Sequence, residues 1–376
     1  MLRAGLIGLP SSGKTTLFQL LTSTREAPRT HGKAEANVGI SRVPDDRLDE
    51  LTALFQPKRR VPATVEFADM AAARSDAKTL FDVVAYRNAD ALLHVVRAFD
   101  DPAVPHPKSS IDPARDAQLI EEELVLADLG VAERRLDRLE KDLKKSPSPE
   151  LRKEQDLLLR CQAALETGKG LRTLGLAGDD LRRLRGFQFL SAKPLLVVLN
   201  IGEAAIAGSD RAVESAGLRT WLATVGGAAA VVVCAKIELE IAELGPADAQ
   251  AFLSDLGLSE SGLDRVIRAA YDLLGYISFF TVGDDECRAW SIPRSTGAQE
   301  AAGAIHSDIQ RGFIRAEVVV YDRLIARASS LTSRGTGDEP RGPRALVACR
   351  EHGEIRLEGK EYEVMDGDVI TFRHAT

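Results

Sequence analysis

The chain has 376 residues, of which 44% are hydrophobic and 28% are charged, and this is enough for two or three globular domains. Its net charge of −7 argues against a protein that wraps nucleic acid with a generally basic surface, so contact with RNA requires a local basic patch. No apolar signal region opens the chain and no apolar run approaches the roughly 18 residues of a membrane span, which predicts a cytoplasmic protein without a membrane partner.

The first motif in the chain is a glycine loop between a predicted strand and a predicted helix. The apolar run AGLIG at 4–8 leads into GLPSSGKTTL at 8–17, which has the form GxxxxGK[ST]. Glycines let backbone N–H groups turn toward phosphates, a lysine reaches the β- and γ-phosphates, and a threonine hydroxyl can ligate Mg²⁺. A plain glycine turn is the alternative, but the flanking strand and helix favour binding of a nucleoside triphosphate. The predicted phosphate-binding residues are Leu9, Pro10, Ser11, Ser12, Gly13, Lys14, Thr15 and Thr16.

Further apolar runs predict the rest of a nucleotide domain. The polar segment 22–39 is a candidate switch loop, and strands are predicted at 61–69, 89–99, 194–200 and 228–235. Because these short runs alternate with helical patterns, they indicate an α/β fold: a parallel sheet with helices on both faces and ligands at the carboxyl ends of the strands. Asp69 and Asn200 each end such a strand.

A helical insertion separates two of these strands. Apolar residues recur at alternating spacings of four and three along the first helix, which is a heptad seam. The seam consists of Val125, Leu129, Ala132, Leu136, Leu139 and Leu143. SPSP at 146–149 breaks this helix and a second helical pattern follows, so an antiparallel hairpin is predicted. Its basic side chains are read as a solvated face, with a partner surface as the alternative.

The C-terminal third has a different sequence pattern, in which short strand-like segments alternate with glycine turns. SFFTVGDDECRAWSIP at 278–293, a helical stretch at 298–309 and alternating strands with glycine turns predict a small mixed β domain with one helix. The predicted domains are therefore 1–111 with 190–277, the insertion 112–189, and 278–376. Four cysteines lie far apart without a CxxC pair, which predicts reduced and mostly buried thiols: Cys161, Cys234, Cys287 and Cys349.

Motifs along nearly the whole chain resemble the YchF group of Obg-like ATPases. They are GLPSSGKTT at 8–16, VEFAD at 65–69, HVVRAF at 94–99, NIGE at 200–203, AKIELEIAEL at 235–244, IHSDIQRGFIRAEVVVYD at 305–322 and LEGKEYEVMDGDVITFR at 357–373. The resemblance implies a P-loop nucleotide domain, a helical insertion and a C-terminal TGS domain of β-grasp type. It also implies Mg²⁺ with bound ATP, GTP being possible, and association with the ribosome or ribosomal RNA.

The tetrad at the end of one predicted strand bears on the choice of base. GTPases of this class read guanine with Asn-Lys-x-Asp, and this chain has Asn200-Ile201-Gly202-Glu203. Losing the short aspartate removes the acceptor for the guanine donors, which favours ATP. An ordinary strand-to-helix loop is the alternative reading. The predicted base-binding residues are Asn200, Ile201, Glu203, Cys234, Ala235 and Lys236.

The chain departs from the resembled family at the parts that sense the triphosphate. Ala72 stands where the family has a glycine of the second switch, and Lys33 where it has a magnesium-binding threonine, with Thr30 as the nearest substitute. Ser11 replaces an asparagine, which argues against potassium-assisted chemistry. Lys14 and Asp69 remain as candidate catalytic residues.

Two hypotheses on activity stay open. Thr15 and Asp69 remain as candidate magnesium ligands, which favours hydrolysis, whereas the altered switch positions favour binding without turnover. One is a slow ATPase. The other is a nucleotide-binding regulatory adaptor with little or no hydrolysis.

A basic group in the C-terminal domain is the local candidate for contact with RNA. His306, Arg311 and Arg315 could face RNA phosphates, while the interleaved Phe313 and Ile314 favour internal packing equally. No contact with DNA is expected, and the sequence does not predict an oligomeric state.

Overall fold

The computed structural model describes residues 3–22, 37–69, 83–176, 178–331 and 340–375. The chain forms two compact units, Met1–Ser41 with Val65–Leu274, and Arg42–Thr64 with Gly275–Thr376. The second unit thus includes residues 42–64, which the sequence-based boundaries assign to the nucleotide domain. The predicted switch residues Thr30, Lys33 and Ala72 lie outside the described residues.

The described residues form the following elements. The strands are β1 Arg3–Ile7, β2 Asn37–Arg42, β3 Arg59–Val61, β4 Thr64–Asp69, β5 Ala91–Ala98, β6 Leu195–Ile201, β7 Ala228–Val233, β8 Tyr276–Thr281, β9 Glu286–Pro293, β10 Phe313–Val320, β11 Arg356–Glu358 and β12 Asp368–His374. The helices are α1 Lys14–Thr22, α2 Asp46–Phe55, α3 Pro113–Lys145, α4 Pro149–Glu166, α5 Asp179–Leu184, α6 Ser209–Ser215, α7 Leu218–Val225, α8 Ala235–Glu243, α9 Pro246–Asp255, α10 Gly262–Leu273, α11 Ala298–Ile305, α12 Ser307–Arg311, α13 Tyr321–Ser330 and α14 Arg341–Glu351.

The first unit is built on a sheet in the order β2-β4-β1-β5-β6-β7. The pairs β1 with β4, β1 with β5, β5 with β6, and β6 with β7 are parallel. All seven side chains of β6 are buried, as expected for a central parallel strand covered by helices on both faces. The predicted fold class is confirmed, and parallel pairing brings the carboxyl ends of these strands to one edge.

The insertion forms the predicted antiparallel hairpin of α3 and α4. Val125, Ala132 and Leu139 of the seam are buried against α4, whose contribution includes Leu158 and Cys161. Ser148 caps the N-terminus of α4, because its side chain accepts a hydrogen bond from Leu151 N. Pro149 is the first residue of that helix.

Buried polar groups fix the base of the hairpin on the rest of the first unit. Asp128 of α3 accepts hydrogen bonds from Leu190 N at 3.0 Å, Ser191 N at 2.7 Å and Ser191 Oγ at 2.8 Å. Glu121 of α3 pairs with Arg172, and both side chains are buried. Groups of this kind are costly unless paired, so they specify one placement of α3.

The second unit has a mixed sheet in the order β11-β10-β12-β8-β9-β3. An antiparallel hairpin of β8 and β9 is followed by α11, and β12 then pairs with β8 in parallel and with β10 in antiparallel fashion. This is the predicted β-grasp arrangement, but the expectation of one helix was wrong, because the described residues of this unit form α2 and α11 to α14. Its core includes Phe279, Ile292, Ala302 and Val318.

Residues 42–64 complete the second unit. Strand β3 pairs in parallel with β9 at the edge of the sheet. Arg47 of α2 binds the carboxylates of Asp45 at 2.9 Å and Asp366 at 2.8 Å. A Cβ on Gly342 of α14 would lie 2.5 Å from the Phe55 ring, so this glycine permits close packing on α2.

The placement of the cysteines agrees with the prediction from the sequence. All four cysteines are buried free thiols, as predicted. Among the described residues, the structure contains no helix that is both long and apolar enough to span a membrane.

Candidate functional site

The glycine loop lies between the end of β1 and the start of α1, and its backbone requires glycine at two places. Gly8 has φ of 145°, and a Cβ there would lie 2.4 Å from the carbonyl oxygen of Val95. Gly13 has φ of 97°, and a Cβ there would lie 2.4 Å from Asn200 Nδ2. Side chains at these positions would meet both strain and collision. The loop thus keeps a concave backbone surface.

The start of α1 provides backbone donors at this surface. The first helical hydrogen bond runs from Leu17 N to Gly13 O at 2.9 Å. The N–H groups of Lys14, Thr15 and Thr16 therefore have no acceptor within the helix. Such a helix start favours an anion through these donors and through the helix dipole.

Lys14 folds over the mouth of the loop. Its Nζ donates to Gly8 O at 3.0 Å and to Leu9 O at 2.7 Å. Burial lowers the pKa of Lys14 to about 8, although the Asp69 carboxylate acts in the opposite direction. The ammonium is consequently a partly desolvated cation, and a phosphate group would stabilise its charged form.

Thr15 and Asp69 bring two hard oxygen ligands together. Residues Leu6 of β1 and Asp69 of β4 are paired in register, which places Asp69 beside the loop. Thr15 Oγ1 donates to Asp69 Oδ2 at 3.5 Å, the outer limit of a hydrogen bond. Burial raises the pKa of Asp69, while the Lys14 charge and the Thr15 hydroxyl lower it.

The donor set of this pair fits magnesium. Mg²⁺ is typically bound by one or two carboxylates with phosphate and water as the other ligands. Within the described ranges, no group of three or more His, Cys, Asp or Glu side chains could hold a metal ion. A metal ion at Thr15 and Asp69 would therefore depend on the nucleotide and on water for its remaining ligands.

Asn200 links the phosphate loop to the start of α8. Its Nδ2 donates to Ser12 O at 3.1 Å, and its Oδ1 accepts from Ala235 N at 3.1 Å. The side chain is only 4% exposed. Both ends of one buried amide are therefore satisfied by backbone groups of two different loops.

The remaining predicted base-binding residues divide into two groups. Ile201 and Cys234 are buried in the apolar core of the first unit. Glu203 and Lys236 are exposed and form an ion pair of 2.5 Å, which raises the pKa of Lys236. The exposed pair, rather than the two apolar side chains, is the part that a nucleobase could contact.

Two residues of the strand segment HVVRAF lie behind the loop. His94 is buried, and burial, with the charges of Lys14 and Arg172, lowers its pKa to about 3 and keeps the ring neutral. Arg97 Nη1 donates to Ser11 O at 3.4 Å, a contact that the sequence reasoning missed. An arginine in a strand whose other residues are apolar, apart from His94, was the available signal.

Two members of the C-terminal basic group contact the same acidic residue. Arg311 pairs with Asp308, and His306 Nδ1 accepts from Asp308 N at 3.1 Å as the cap of α12. Phe313 is buried in the core, whereas Ile314 and Arg315 are exposed. Internal packing therefore holds for Phe313 and not for its neighbours.

Comparison with known proteins places this geometry in a family. The family model YchF-GTPase_C, described as a protein of unknown function (DUF933), matches residues 276–375. The chain is 40% identical to the Ribosome-binding ATPase YchF of Bacillus subtilis, with 99% of each chain covered. It is 32% identical to Obg-like ATPase 1 of Oryza sativa subsp. japonica, covering 99% of this chain and 92% of the relative.

A solved structure shows the same similarity. The Schizosaccharomyces pombe YchF GTPase matches with a TM-score of 0.82 and 26% identity, covering 99% of this chain and 97% of that one. The match thus extends over both compact units.

Proposed function

This chain belongs to the YchF family, and from that premise we propose that it is a P-loop ATPase that acts on the ribosome and slowly hydrolyses ATP to ADP and phosphate. The observation that carries the proposal is the formed phosphate loop, in which Lys14 folds over the mouth and Thr15 meets Asp69. The curated relatives are named ribosome-binding or Obg-like ATPases, which supports both parts of the proposal.

Each loop residue has a proposed task. The N–H groups at the start of α1 bind the phosphates, and Lys14 exchanges its two carbonyl acceptors for phosphate oxygens. The Thr15 hydroxyl would be a ligand of Mg²⁺, and the Asp69 carboxylate would help to hold the ion through water. When bound, the ion supplies charge stabilisation at the phosphates. The protein's contribution is positioning, which is most of what phosphoryl transfer requires.

We assign ATP over GTP as the preferred nucleotide. The proposal depends on Glu203, a carboxylate that can accept from the adenine amino group, in place of the aspartate that reads guanine. Lys236 already pairs with Glu203 at 2.5 Å, so the carboxylate is held at the site before a base arrives.

A regulatory adaptor without hydrolysis remains the second candidate. Ala72 in place of glycine restricts the backbone rotation of a pivoting switch, and Ser11 replaces the asparagine of the family. Binding of the nucleotide needs neither feature, so loss of turnover with retained binding is physically consistent.

A surface of the insertion supports contact with RNA. Four cations recur along α3 with spacings of four, three and four residues, which places them within about 60° on one helix face. They are Arg134, Arg138, Lys141 and Lys145. All four are exposed, and none forms an ion pair within 4.0 Å among the described residues. We name them the hairpin stripe. The stripe runs for about 16 Å, a length that matches a few phosphates of an RNA strand.

Single-turnover hydrolysis of Mg·ATP, with and without ribosomes, tests the proposal, with nucleotide binding measured in parallel. The Lys14→Ala variant is the background control. Hydrolysis that is lost in this variant and increases on ribosomes is the expected result. Tight ATP binding without cleavage, even on ribosomes, would favour the adaptor, and absence of ATP binding would overturn both candidates.

A further inference from the structure

Arg97 is a buried cation at the carboxyl end of β5. The residue is only 3% exposed. Its Nε donates to Phe99 O at 3.0 Å, and its guanidinium carbon lies 4.4 Å from the centroid of the Phe99 ring. Its Nη1 donates to Ser11 O at 3.4 Å. Arg97 therefore connects β5 to the phosphate loop from behind.

The charge of Arg97 is not neutralised by a carboxylate. No Asp or Glu oxygen of the described ranges lies within 4.0 Å of its guanidinium nitrogens. Buried arginines are normally paired, because an isolated charge loses its hydration without compensation. The side chain lines a small pocket behind the phosphate loop together with Ser12, His94 and Asp116. The Asp116 carboxylate of that pocket is itself paired with Arg115 and His106. A buried positive charge in this position favours an anion at the loop.

The hydrogen bond from Arg97 to Ser11 O stabilises a residue with an unfavourable backbone conformation. Ser11 has φ of 61°, a left-handed conformation that non-glycine residues adopt at a cost. Because the peptide bond is trans, an outward Ser11 carbonyl points the N–H group of Ser12 in the opposite direction. Holding this carbonyl therefore fixes the orientation of a donor in the loop.

Asn200 holds the next carbonyl of the loop in a similar way, since its Nδ2 donates to Ser12 O. Arg97 and Asn200 are partners in the register of β5 and β6, and they hold the consecutive carbonyls of Ser11 and Ser12. Two adjacent strand ends thus turn two consecutive N–H groups away from the sheet. This is the arrangement of a backbone anion site.

We propose that Arg97 is a positioning residue of the nucleotide site, which fixes the peptide between Ser11 and Ser12 and adds an unpaired positive charge behind the phosphate loop. Its effect falls on the phosphates and not on the base. The inference rests on the proposed function, since it requires that this loop binds a nucleoside triphosphate.

The test compares Arg97→Gln with the matched variant Arg265→Gln. Arg265 also donates from its guanidinium to a strand carbonyl of the first unit, but that acceptor is Val232 O at 3.1 Å rather than a carbonyl of the phosphate loop. We expect Arg97→Gln to weaken ATP binding by about tenfold or more, the size of one lost charged hydrogen bond. Arg265→Gln should leave the ATP affinity unchanged.

Rescue and kinetics separate positioning from a structural role. Arg97→Lys keeps the charge and one donor, and it should retain most of the ATP affinity that Arg97→Gln loses. In turnover, Arg97→Gln should raise KM for ATP more than it lowers kcat, with ATP over GTP discrimination unchanged. Circular dichroism and thermal unfolding report whether each variant is folded.

Several outcomes overturn the inference. Wild-type ATP affinity in a folded Arg97→Gln variant would overturn the inference about Arg97 but leave the proposed function intact. Equal losses of affinity and melting temperature in the Lys and Gln variants would assign Arg97 a structural role and overturn it as well. A wild-type chain that binds no ATP would instead overturn the proposed function on which the inference rests.

Discussion

The side-chain amide of Asn200 donates to the carbonyl oxygen of Ser12 at 3.1 Å and so ties the end of β6 to the phosphate loop. Its other end accepts from Ala235 N at 3.1 Å. One buried side chain therefore determines the separation between the loop that would hold the phosphates and the loop that would hold the base.

Replacing this amide by a carboxylate should damage both stability and binding. Asn200→Asp still accepts from Ala235 N, but it cannot donate to Ser12 O and places a charge in a buried site. We expect a loss of about 1–3 kcal/mol in the free energy of unfolding and at least tenfold weaker ATP binding. Urea denaturation and an ATP titration measure the two effects.

A second asparagine provides the matched control. Asn88 is exposed and accepts from Gln188 Nε2 at 3.1 Å, a role that an aspartate can still perform. Asn88→Asp should therefore leave stability and ATP affinity near wild type. If Asn200→Asp behaves like this control, the amide does not link the two loops in solution.

Glu203→Gln should change the ratio of ATP to GTP affinity. The substitution removes the negative charge and makes one end of the side chain a donor, so the acceptor proposed for the adenine amino group is weakened. Competition titrations with both nucleotides measure the ratio. Glu243→Gln is the control, because it makes the same substitution at an exposed glutamate at the far end of α8. Equal ratios in wild type and Glu203→Gln would exclude Glu203 from base recognition.

ATP affinity should decrease at alkaline pH because of Lys14. Burial lowers the pKa of this lysine to about 8, and bound phosphates raise it again by stabilising the ammonium. Below the lowered pKa, Lys14 is charged in the free and bound protein, so affinity is independent of this group. Above it, binding takes up a proton, and affinity falls by up to about tenfold per pH unit until the pKa of the bound state is reached.

Calorimetry in buffers of different ionisation enthalpy detects this proton uptake directly. Lys193→Met is the control, since burial lowers the pKa of Lys193 as well, but its Nζ donates to Arg87 O and Ala89 O rather than to the phosphate loop. The pH dependence should persist in this variant. A flat affinity between roughly pH 7 and pH 9.5 would show that the charge of Lys14 does not change in the free protein.

Local patterns predicted much of this molecule. The seam of α3 follows from apolar spacing, and Val125, Ala132 and Leu139 are the buried positions because a helix repeats its face at that spacing. The phosphate loop follows from glycines whose backbone angles other residues avoid, and Gly8 and Gly13 adopt such angles.

Long-range contacts were beyond the reach of those patterns. Residues 42–64 pack in the second unit through pairs such as Arg47 with Asp366, which are 319 residues apart. No local periodicity encodes such a pair. Arg97 was missed for a related reason, since its contact with Ser11 depends on which strands are neighbours in the sheet.

The hairpin stripe gives the last prediction. Changing Arg134, Arg138, Lys141 and Lys145 together to Gln should weaken ribosome binding and make it less sensitive to salt. Each phosphate contact contributes about 0.7–0.9 to the slope of log affinity against log salt concentration, so the loss of four contacts reduces the magnitude of that slope by about three. Cosedimentation with ribosomes over a series of salt concentrations measures it.

Four other cations of the insertion serve as a control of equal charge. Lys144, Lys153, Arg160 and Arg182 are already ion-paired with acidic residues of the insertion. Changing these to Gln removes the same net charge but should alter the salt dependence much less, because paired cations release fewer bound anions and are less free to meet phosphate. Equal slopes for the two fourfold variants would mean that only net charge matters. If the stripe variant kept the wild-type slope, ribosome contact would have to lie on another surface of the chain.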